Sequence, residues 1–318
     1  MDAAETTMLV GATSRLNRTL SRIVKRAPLY AFYAALKLLP EKTLLGLFLH
    51  RFKISEFAVA GDLGIFGGSA SDVDVLGRYA VEGNWSPVFL KRFLEHLDRN
   101  AHTTYLDIGA NIGLTAIPVA AAGHAVIAFE PVPENFDHLS RNALRNGVAG
   151  RMTIHNKALL DVKGIATFEL SPSNHGDHRY RTGVAIDGMG ENGWSITEVI
   201  VDTLDGAVGG VSGSFAVKMD TQGSEPLVIA GGADVLSRTT MILCEFSPYQ
   251  MRRMGTDATL LIDFLAGFDH VEVYVCEEND ADRSFSGGGE VRRYLADYHV
   301  QWQAEPWGRY LNVLGVRR

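Results

Sequence analysis

The stretch that most constrains the fold is YLDIGANIG at residues 105–113, followed by AVIAFEP at residues 125–131. An apolar run enters a turn that contains Gly109 and Gly113, a helix-compatible segment follows, and a second apolar run ends at Glu130. A strand, a glycine turn and a helix bring backbone N–H groups and the positive end of a helix to one point. A carboxylate about 20 positions after the first glycine can accept hydrogen bonds from ribose hydroxyls. The pattern predicts a nucleotide site without naming the nucleotide.

Two features of this turn narrow the choice of cofactor. A nicotinamide dinucleotide site is typically G-x-G-x-x-G, whereas residues 109–113 read GANIG. Asp107 closes the preceding strand, and a carboxylate there would repel a pyrophosphate but suits a positive ammonium and sulfonium. Charge therefore favours S-adenosylmethionine over a dinucleotide.

Composition limits the partners and the compartment. The net charge of −7 gives no electrostatic reason to expect a nucleic acid partner. Cys244 and Cys276 each lie inside an apolar run, which disfavours a disulfide framework or a zinc cluster and suits a reducing interior. Asp2 and Glu5 stand where the basic region of a secretory signal would be, so none is predicted. We expect a cytoplasmic protein.

The order of apolar runs predicts two parts. Residues 1–100 form a mainly helical N-terminal extension or cap with a small hairpin at residues 57–66. In residues 101–318 strands and helices alternate, which predicts an α/β, Rossmann-like open sheet, mostly parallel, with helices on both faces and an antiparallel pair at its end. A polar loop at residues 171–193 is long enough to be functional, and residues 277–293 are interpreted as a polar insertion.

A basic amphipathic helix is predicted at residues 14–27. Such a helix could lie on an anionic membrane, but packing on the main domain with a solvated basic face is the commoner arrangement and is favoured. The apolar stretch at residues 27–52 is interrupted by Lys37 and Pro40, so no transmembrane segment is predicted.

Several short blocks, taken in order, resemble those of the FkbM family of S-adenosylmethionine-dependent methyltransferases. They are DIGANIG at 107–113, FEP at 129–131, ALLDVKG at 158–164, TLD at 203–205, KMDTQGSE at 218–225 and LCE at 243–245. The resemblance implies a class I, Rossmann-like fold and methylation of hydroxyls on sugars, polyketides or other small metabolites. Met219 and Thr221 replace the β-branched apolar residues usual in the fifth block, and the loop at residues 174–178 also departs from the family, which leaves the acceptor open.

The turn and the resemblance together assign a cofactor site. The predicted cofactor-binding residues are Asp107, Gly109, Ala110, Asn111, Gly113, Glu130, Pro131, Asn156 and Ala158. Glu130 is predicted to accept hydrogen bonds from the ribose hydroxyls, and residues 156–159, after the third strand, to border the adenine.

Three residues are candidates for handling the acceptor. Methyl transfer is an in-line displacement at an activated carbon, so the protein mainly aligns the nucleophile and, for a hydroxyl, removes its proton. Asp220 and Glu245 each close a strand, where ligands of open α/β sheets bind. Asp220 could instead partner Lys218 or cap the next helix. His175 could take a proton near neutral pH, although loop histidines are often only solvated. No spacing signature indicates a metal site.

The main hypothesis is an S-adenosylmethionine-dependent O-methyltransferase with a small hydroxylated or glycosylated acceptor, and with homo-oligomerisation left open. N-methylation or carboxyl methylation is an alternative within enzymes. A non-catalytic cofactor-binding subunit of a biosynthetic complex is an alternative from another class. Acidic groups at two strand ends, Asp220 and Glu245, favour catalysis because a binding module would not need them.

Overall fold

The computed structural model describes residues 41–182, 194–275, 281–305 and 309–317. The basic helix predicted at residues 14–27 lies outside these ranges, as does the end of the predicted polar loop. In the part of the chain that the structure describes, no helix has the length and apolar character needed to cross a membrane.

The described strands and helices follow one another in a regular α/β order. The strands are β1 (Glu56–Gly61), β2 (Gly64–Ser69), β3 (Thr103–Ile108), β4 (Val126–Phe129), β5 (Met152–His155), β6 (Ala158–Leu159), β7 (Gly164–Leu170), β8 (Arg179–Tyr180), β9 (Ser195–Asp202), β10 (Ser214–Met219), β11 (Thr239–Phe246), β12 (His270–Tyr274), β13 (Arg283–Ser286) and β14 (Leu311–Val316). The helices are α1 (Glu41–Arg51), α2 (Leu76–Glu82), α3 (Pro87–Arg99), α4 (Ala116–Ala121), α5 (Pro133–Arg145), α6 (Leu204–Val208), α7 (Glu225–Ala230), α8 (Ala233–Ser237), α9 (Pro248–Met254), α10 (Ala258–Ala266) and α11 (Gly288–Trp302).

An eight-stranded sheet with the order β13-β12-β14-β11-β10-β3-β4-β5 forms the centre of the fold. The pairs from β11 to β5 are parallel, whereas β14 runs antiparallel to both β11 and β12. This confirms the predicted mostly parallel Rossmann-like sheet and its antiparallel end. Side chains alternate across each strand, so Leu106 and Ile108 face one core with α6–α11, while Tyr105 faces a second core with α2–α5.

A separate four-stranded sheet with the order β6-β9-β7-β8 lies outside the main one. The β1–β2 hairpin is antiparallel, and this confirms the hairpin predicted there. It is fastened to α5 by Asn142, which accepts from the amide of Gly67 at 2.8 Å and donates to its carbonyl at 3.0 Å. Phe66 of the hairpin packs in the same core as α3 and α4. The division at residue 100 stays a prediction.

Two local predictions needed the structure to settle them. The helix after the glycine turn begins only at Ala116, so Pro118 falls in the first turn, where its missing N–H is not needed. The polar insertion predicted at residues 277–293 is wrong, because this stretch contains β13 and the start of α11. That helix begins at two glycines, and its described buried residues are only Val291 and Leu295, so its apolar stripe is too short to stand out.

Candidate active site

A cleft of about 1270 Å³ opens at the carboxyl ends of β3, β4, β10 and β11. Nine of the residues predicted for the site line it: Gly109, Ala110, Asn111, Glu130, Pro131, Ala158, His175, Asp220 and Glu245. The edge of a parallel sheet where strands end is where such folds bind ligands. The fold therefore brings together, at one cleft, predicted residues that are far apart in the chain.

Three predicted cofactor contacts lie behind the cleft wall instead. Asp107 is fully buried. Gly113 has φ +95°, and a Cβ on it would come within 2.6 Å of the Leu139 side chain on α5, so it serves helix packing. The Asn156 amide donates to the carbonyls of Glu130 and Pro131 at 2.9 Å, so it fixes the end of β4 from behind. These residues shape the site without facing it.

The turn after β3 is held in a conformation that glycine alone adopts easily. Gly109 has φ +84°, and a Cβ there would overlap the backbone carbonyl of Asp220 at the end of β10. Asn111 also has a positive φ of 50°, and its backbone amide donates to Glu130 Oε2 at 2.8 Å. Left-handed residues held by their surroundings are typical of ligand-binding turns.

Glu130 is engaged by the backbone on both of its oxygens. Oε2 accepts from Asn111 and Oε1 accepts from the amide of Val132 at 2.9 Å. Burial raises the pKa of this carboxyl to about 7, although both amides act in the opposite direction. Each carboxylate oxygen has a second lone pair, so ribose hydroxyls can still bind. The carboxylate thus holds the turn in addition to its predicted role.

Lys218 on β10 is a site residue that the sequence did not indicate, and its side chain is largely buried. Lys218 Nζ donates to the carbonyl of Gly109 at 2.8 Å and lies 3.5 Å from Asp107 Oδ1 and 3.6 Å from Asp220 Oδ2. Asp107 Oδ2 accepts from the Thr115 hydroxyl at 2.5 Å. The charge of Asp107 is therefore met from inside the protein, and its predicted contact with a cofactor ammonium is not supported by its position.

The loop after β10 is shaped by Glu225. Its Oε1 accepts from the amide of Thr221 at 2.7 Å and its Oε2 from the amide of Gly223 at 3.0 Å, which gives Glu225 a structural role. Burial raises the pKa of Glu225 to about 7. Gln222, at φ 56°, donates to Asp220 Oδ1 at 2.8 Å. Asp220 is thus held on one side by Gln222 and on the other by Lys218.

Glu245 differs from Asp220 in its surroundings. It lies near the end of β11, half-buried, opposite Asn312 of β14 in the sheet register. Burial raises the pKa of Glu245 well above its ordinary value, and the negative charge of Asp220 adds to this effect. A carboxylate with a raised pKa is a stronger base than an ordinary one.

A strap formed by residues 171–178 crosses the turn. His175 is buried, and its carbonyl accepts from the side-chain amides of Asn111 at 2.8 Å and Asn135 at 3.0 Å. The His175 amide donates to Asp72 Oδ1 at 3.2 Å, and its Nε2 lies 3.0 Å from the Ser71 hydroxyl. The predicted catalytic histidine is therefore a buried anchor that ties the strap to the turn, and its role in proton transfer stays a prediction.

His178 gives the strap a measurable pH dependence. Its Nδ1 accepts from the amide of Ser171 at 3.0 Å, and burial, with the nearby His175, lowers the pKa of His178 to about 4 from its ordinary 6.5. Because the folded pKa lies below the unfolded one, this contribution to stability is complete above pH 6.5 and is lost as the pH falls toward 4. The melting temperature of the wild type minus that of His178→Gln should shrink over this interval. A difference independent of pH would contradict the assignment.

The charges around the cleft fit S-adenosylmethionine. Among the described residues, the carboxylates that line it are Glu130, Asp220 and Glu245, and the lysines are Lys157 and Lys218. Lys218 faces Asp107, and Lys157 Nζ lies 3.1 Å from Asp202 Oδ2, so carboxylates outside the cleft lining neutralise both lysines. The remaining charge is negative and complements a cationic ligand. Over the same residues, no cluster of three His, Cys, Asp or Glu side chains could hold a metal ion.

Comparison with known proteins finds similarity to methyltransferases. The chain is 30% identical over 159 residues to the hexuronic acid methyltransferase AglP of Haloferax volcanii, an alignment that covers 48% of this chain and 62% of that protein. One solved structure with some similarity is the methyltransferase FkbM from Methylobacillus flagellatus KT. The identity is 18% and the TM-score is 0.30, and the alignment covers 45% of this chain and 32% of that one. Another is the SAM-dependent methyltransferase from Agrobacterium tumefaciens. The identity is 10% and the TM-score is 0.40, and the alignment covers 83% of this chain and 71% of that one.

The family assignment rests on a broader match. The sequence model described as the methyltransferase FkbM domain matches residues 107–297, which is more than half of the chain. The matched range includes the carboxyl ends of β3, β4, β10 and β11, whose side chains form most of the cleft. The chain therefore belongs to the FkbM family of S-adenosylmethionine-dependent methyltransferases.

Proposed function

We propose that the enzyme methylates a hydroxyl group of a sugar or another small hydroxylated metabolite, with Glu245 as the general base and Asp220 as the residue that orients the acceptor. The position and environment of Glu245 carry this proposal. Bound S-adenosylmethionine supplies a methyl carbon activated by its sulfonium. The protein has to align the acceptor oxygen and remove its proton, and a half-buried carboxylate at the rim of the cleft suits the second task.

The two carboxylates are suited to different tasks. Asp220 is held by Gln222 at 2.8 Å and by the Lys218 ammonium at 3.6 Å, which favours a fixed orientation over proton uptake. The raised pKa of Glu245, which comes from burial and then from the charge of Asp220, favours proton uptake. The neutral product of that step would remain stable inside the cleft.

We propose further that residues 1–100 act as a cap that shapes the acceptor side. Trp85 and Ser86 at the start of α3 line the cleft. The Arg78 guanidinium lies over the Trp85 ring, 5.2 Å from its centroid, and this cation–π contact helps to hold the ring in place. The buried thiol of Cys244 fits the predicted cytoplasmic location, and homo-oligomerisation stays a prediction.

A sugar is the acceptor class favoured by the similarity to a hexuronic acid methyltransferase. A hexuronic acid offers both hydroxyl and carboxyl groups, so carboxyl methylation is the second candidate. A carboxylic acid is already ionised at neutral pH and needs no base. The presence of Glu245 beside Asp220 therefore favours the hydroxyl.

The acceptor group can be tested with S-adenosylmethionine that carries a ¹³C methyl group. A hexuronic acid, its methyl ester and the corresponding neutral hexose would be offered separately. We expect transfer to a hydroxyl, seen as a methyl ether that survives mild alkali, and the methyl ester should remain a substrate because its hydroxyls are intact. A methyl group that alkali releases would indicate carboxyl methylation, and absence of transfer to all three would contradict the sugar class.

A further inference from the structure

Lys218 is a largely buried cation that contacts both the turn after β3 and the loop after β10. Its side chain is 14% exposed and that of Asp107 is fully buried, and the two residues face each other in the β10–β3 register. A buried ammonium is costly unless it is paired and hydrogen-bonded. Lys218 meets this requirement with three partners: the carbonyl of Gly109 and the carboxylates of Asp107 and Asp220.

Two of the three partners, Gly109 and Asp220, belong to different loops, and the third, Asp107, lies in β3. Gly109 is part of the turn after β3, which also carries Asn111 and faces the cofactor side of the cleft. Asp220 begins the loop after β10, on the side assigned above to the acceptor. Asp107 is fixed by Thr115 and lies between them behind the wall. One ammonium therefore contacts both loops, in addition to the backbone hydrogen bond from the amide of Asp220 to the carbonyl of Ile108 at 3.1 Å.

We propose that Lys218 is a positioning residue for methyl transfer: its ammonium holds the glycine turn and the Asp220 carboxylate in one rigid frame. The cofactor half of this proposal rests on S-adenosylmethionine as the cofactor of this family, and the acceptor half rests on the role proposed for Asp220. When the ammonium is removed, the Gly109 carbonyl loses this donor, and Asp220 keeps its hydrogen bond from Gln222 at 2.8 Å.

The charge state of Lys218 supports this role. Burial alone would lower its pKa, but the charges of Asp107 and then Asp220 outweigh burial and raise the pKa above its usual range. Lys218 is therefore protonated at neutral pH, as its three partners require. A residue that exchanged its proton during the reaction would need the opposite shift.

A purely structural explanation is that Lys218 only compensates the buried Asp107. The variants Lys218→Met, Asp107→Asn and the double variant separate the two explanations. Lys218→Met leaves a buried carboxylate without its cation, whereas the double variant removes both charges. We expect the single lysine variant to lose thermal stability and to bind S-adenosylhomocysteine about tenfold or more weakly, since a charge-assisted hydrogen bond to the turn is lost.

The double variant decides the matter. We expect it to regain most of the thermal stability but not the affinity for S-adenosylhomocysteine, measured by calorimetry after the effect of Asp107→Asn alone is subtracted. Recovery of both stability and affinity would overturn the proposal, as would unchanged affinity in Lys218→Met. The control is Lys91→Met, because the Lys91 side chain is 77% exposed, pairs with Glu95 at 3.9 Å and does not line the cleft.

The acceptor half of the proposal, the role of Asp220, is tested by measuring turnover. With a sugar acceptor, the double variant should show a lower kcat even at saturating cofactor, because Asp220 has lost its anchor. A normal kcat at saturation would remove Asp220 from the proposal. If the wild type methylates no sugar at all, the proposed function fails, but the binding of S-adenosylhomocysteine still tests the role of Lys218.

Discussion

Glu245→Gln should reduce kcat for methylation of a hydroxyl by roughly 100-fold or more, because a positioned general base contributes about that factor. Glutamine keeps the size and the hydrogen-bonding capacity of the side chain but cannot take a proton. The affinity for S-adenosylhomocysteine should change little. Steady-state kinetics and calorimetry on the same preparations check the two expectations.

The pH dependence of the wild type should identify the same group. Glu245 must be ionised to accept a proton, and burial raises its pKa well above the ordinary 4.5. The value of kcat/KM should therefore rise with pH through this raised pKa and then level off, and the rise should be absent in Glu245→Gln. Glu198→Gln serves as the control, since Glu198 is exposed on β9 and does not line the cleft.

The same substitution should stabilise the protein. A carboxyl whose folded pKa is raised contributes stability at low pH that is lost as the pH rises through the folded pKa. Glu245→Gln removes this loss, so its melting temperature should exceed that of the wild type increasingly from pH 4.5 upward. A variant that is less stable than the wild type at pH 8, or that keeps full turnover, would contradict the assignment of Glu245 as the base.

Gly109→Ala should destabilise the fold by roughly 2–5 kcal/mol, the sum of a left-handed backbone penalty and an overpacked contact. Gly109 has φ +84°, and the new Cβ would overlap the backbone carbonyl of Asp220, which cannot rotate away. The shift should also displace the carbonyl that Lys218 binds. Urea unfolding should show the loss of stability, and calorimetry should show loss of S-adenosylhomocysteine binding.

Gly83→Ala is the matched control for this substitution. Gly83 has φ +69° at the end of α2, and a Cβ on it would meet no atom within 4 Å. Its substitution therefore isolates the backbone penalty of about 1–2 kcal/mol. Equal losses in the two variants would show that the close approach of β3 and β10 at Gly109 carries no energetic weight.

The sequence predicts what is local and misses what depends on strand order. The turn at residues 109–113 and the acidic ends of three strands are visible because each lies within a short window. Lys218 follows Gly109 by 109 residues, and its bond to that carbonyl depends on β10 lying beside β3. The chain does not state this neighbourhood, so Asp107 is predicted as a cofactor contact although its charge is already paired.

The strap formed by residues 171–178 is a second case in which the sequence alone does not predict a long-range contact. Composition predicts a functional polar loop at residues 171–193, and His175, Gly176 and His178 of this loop line the cleft. His175 is nevertheless buried because its amide bonds to Asp72, which precedes it by 103 residues. A loop histidine is usually solvated, and no local signal in the sequence distinguishes this one.

The position of β14 has a consequence for the order in which the enzyme can mature. Its residues 311–316 insert between β11 and β12, and Asn312 pairs in register with Glu245 and lines the cleft. β11, which carries Glu245, is therefore synthesised well before the strand that borders it. Until then β11 has an open edge, which is a template for wrong pairing. The addition of β14 therefore both places Asn312 at the cleft and covers this edge of β11.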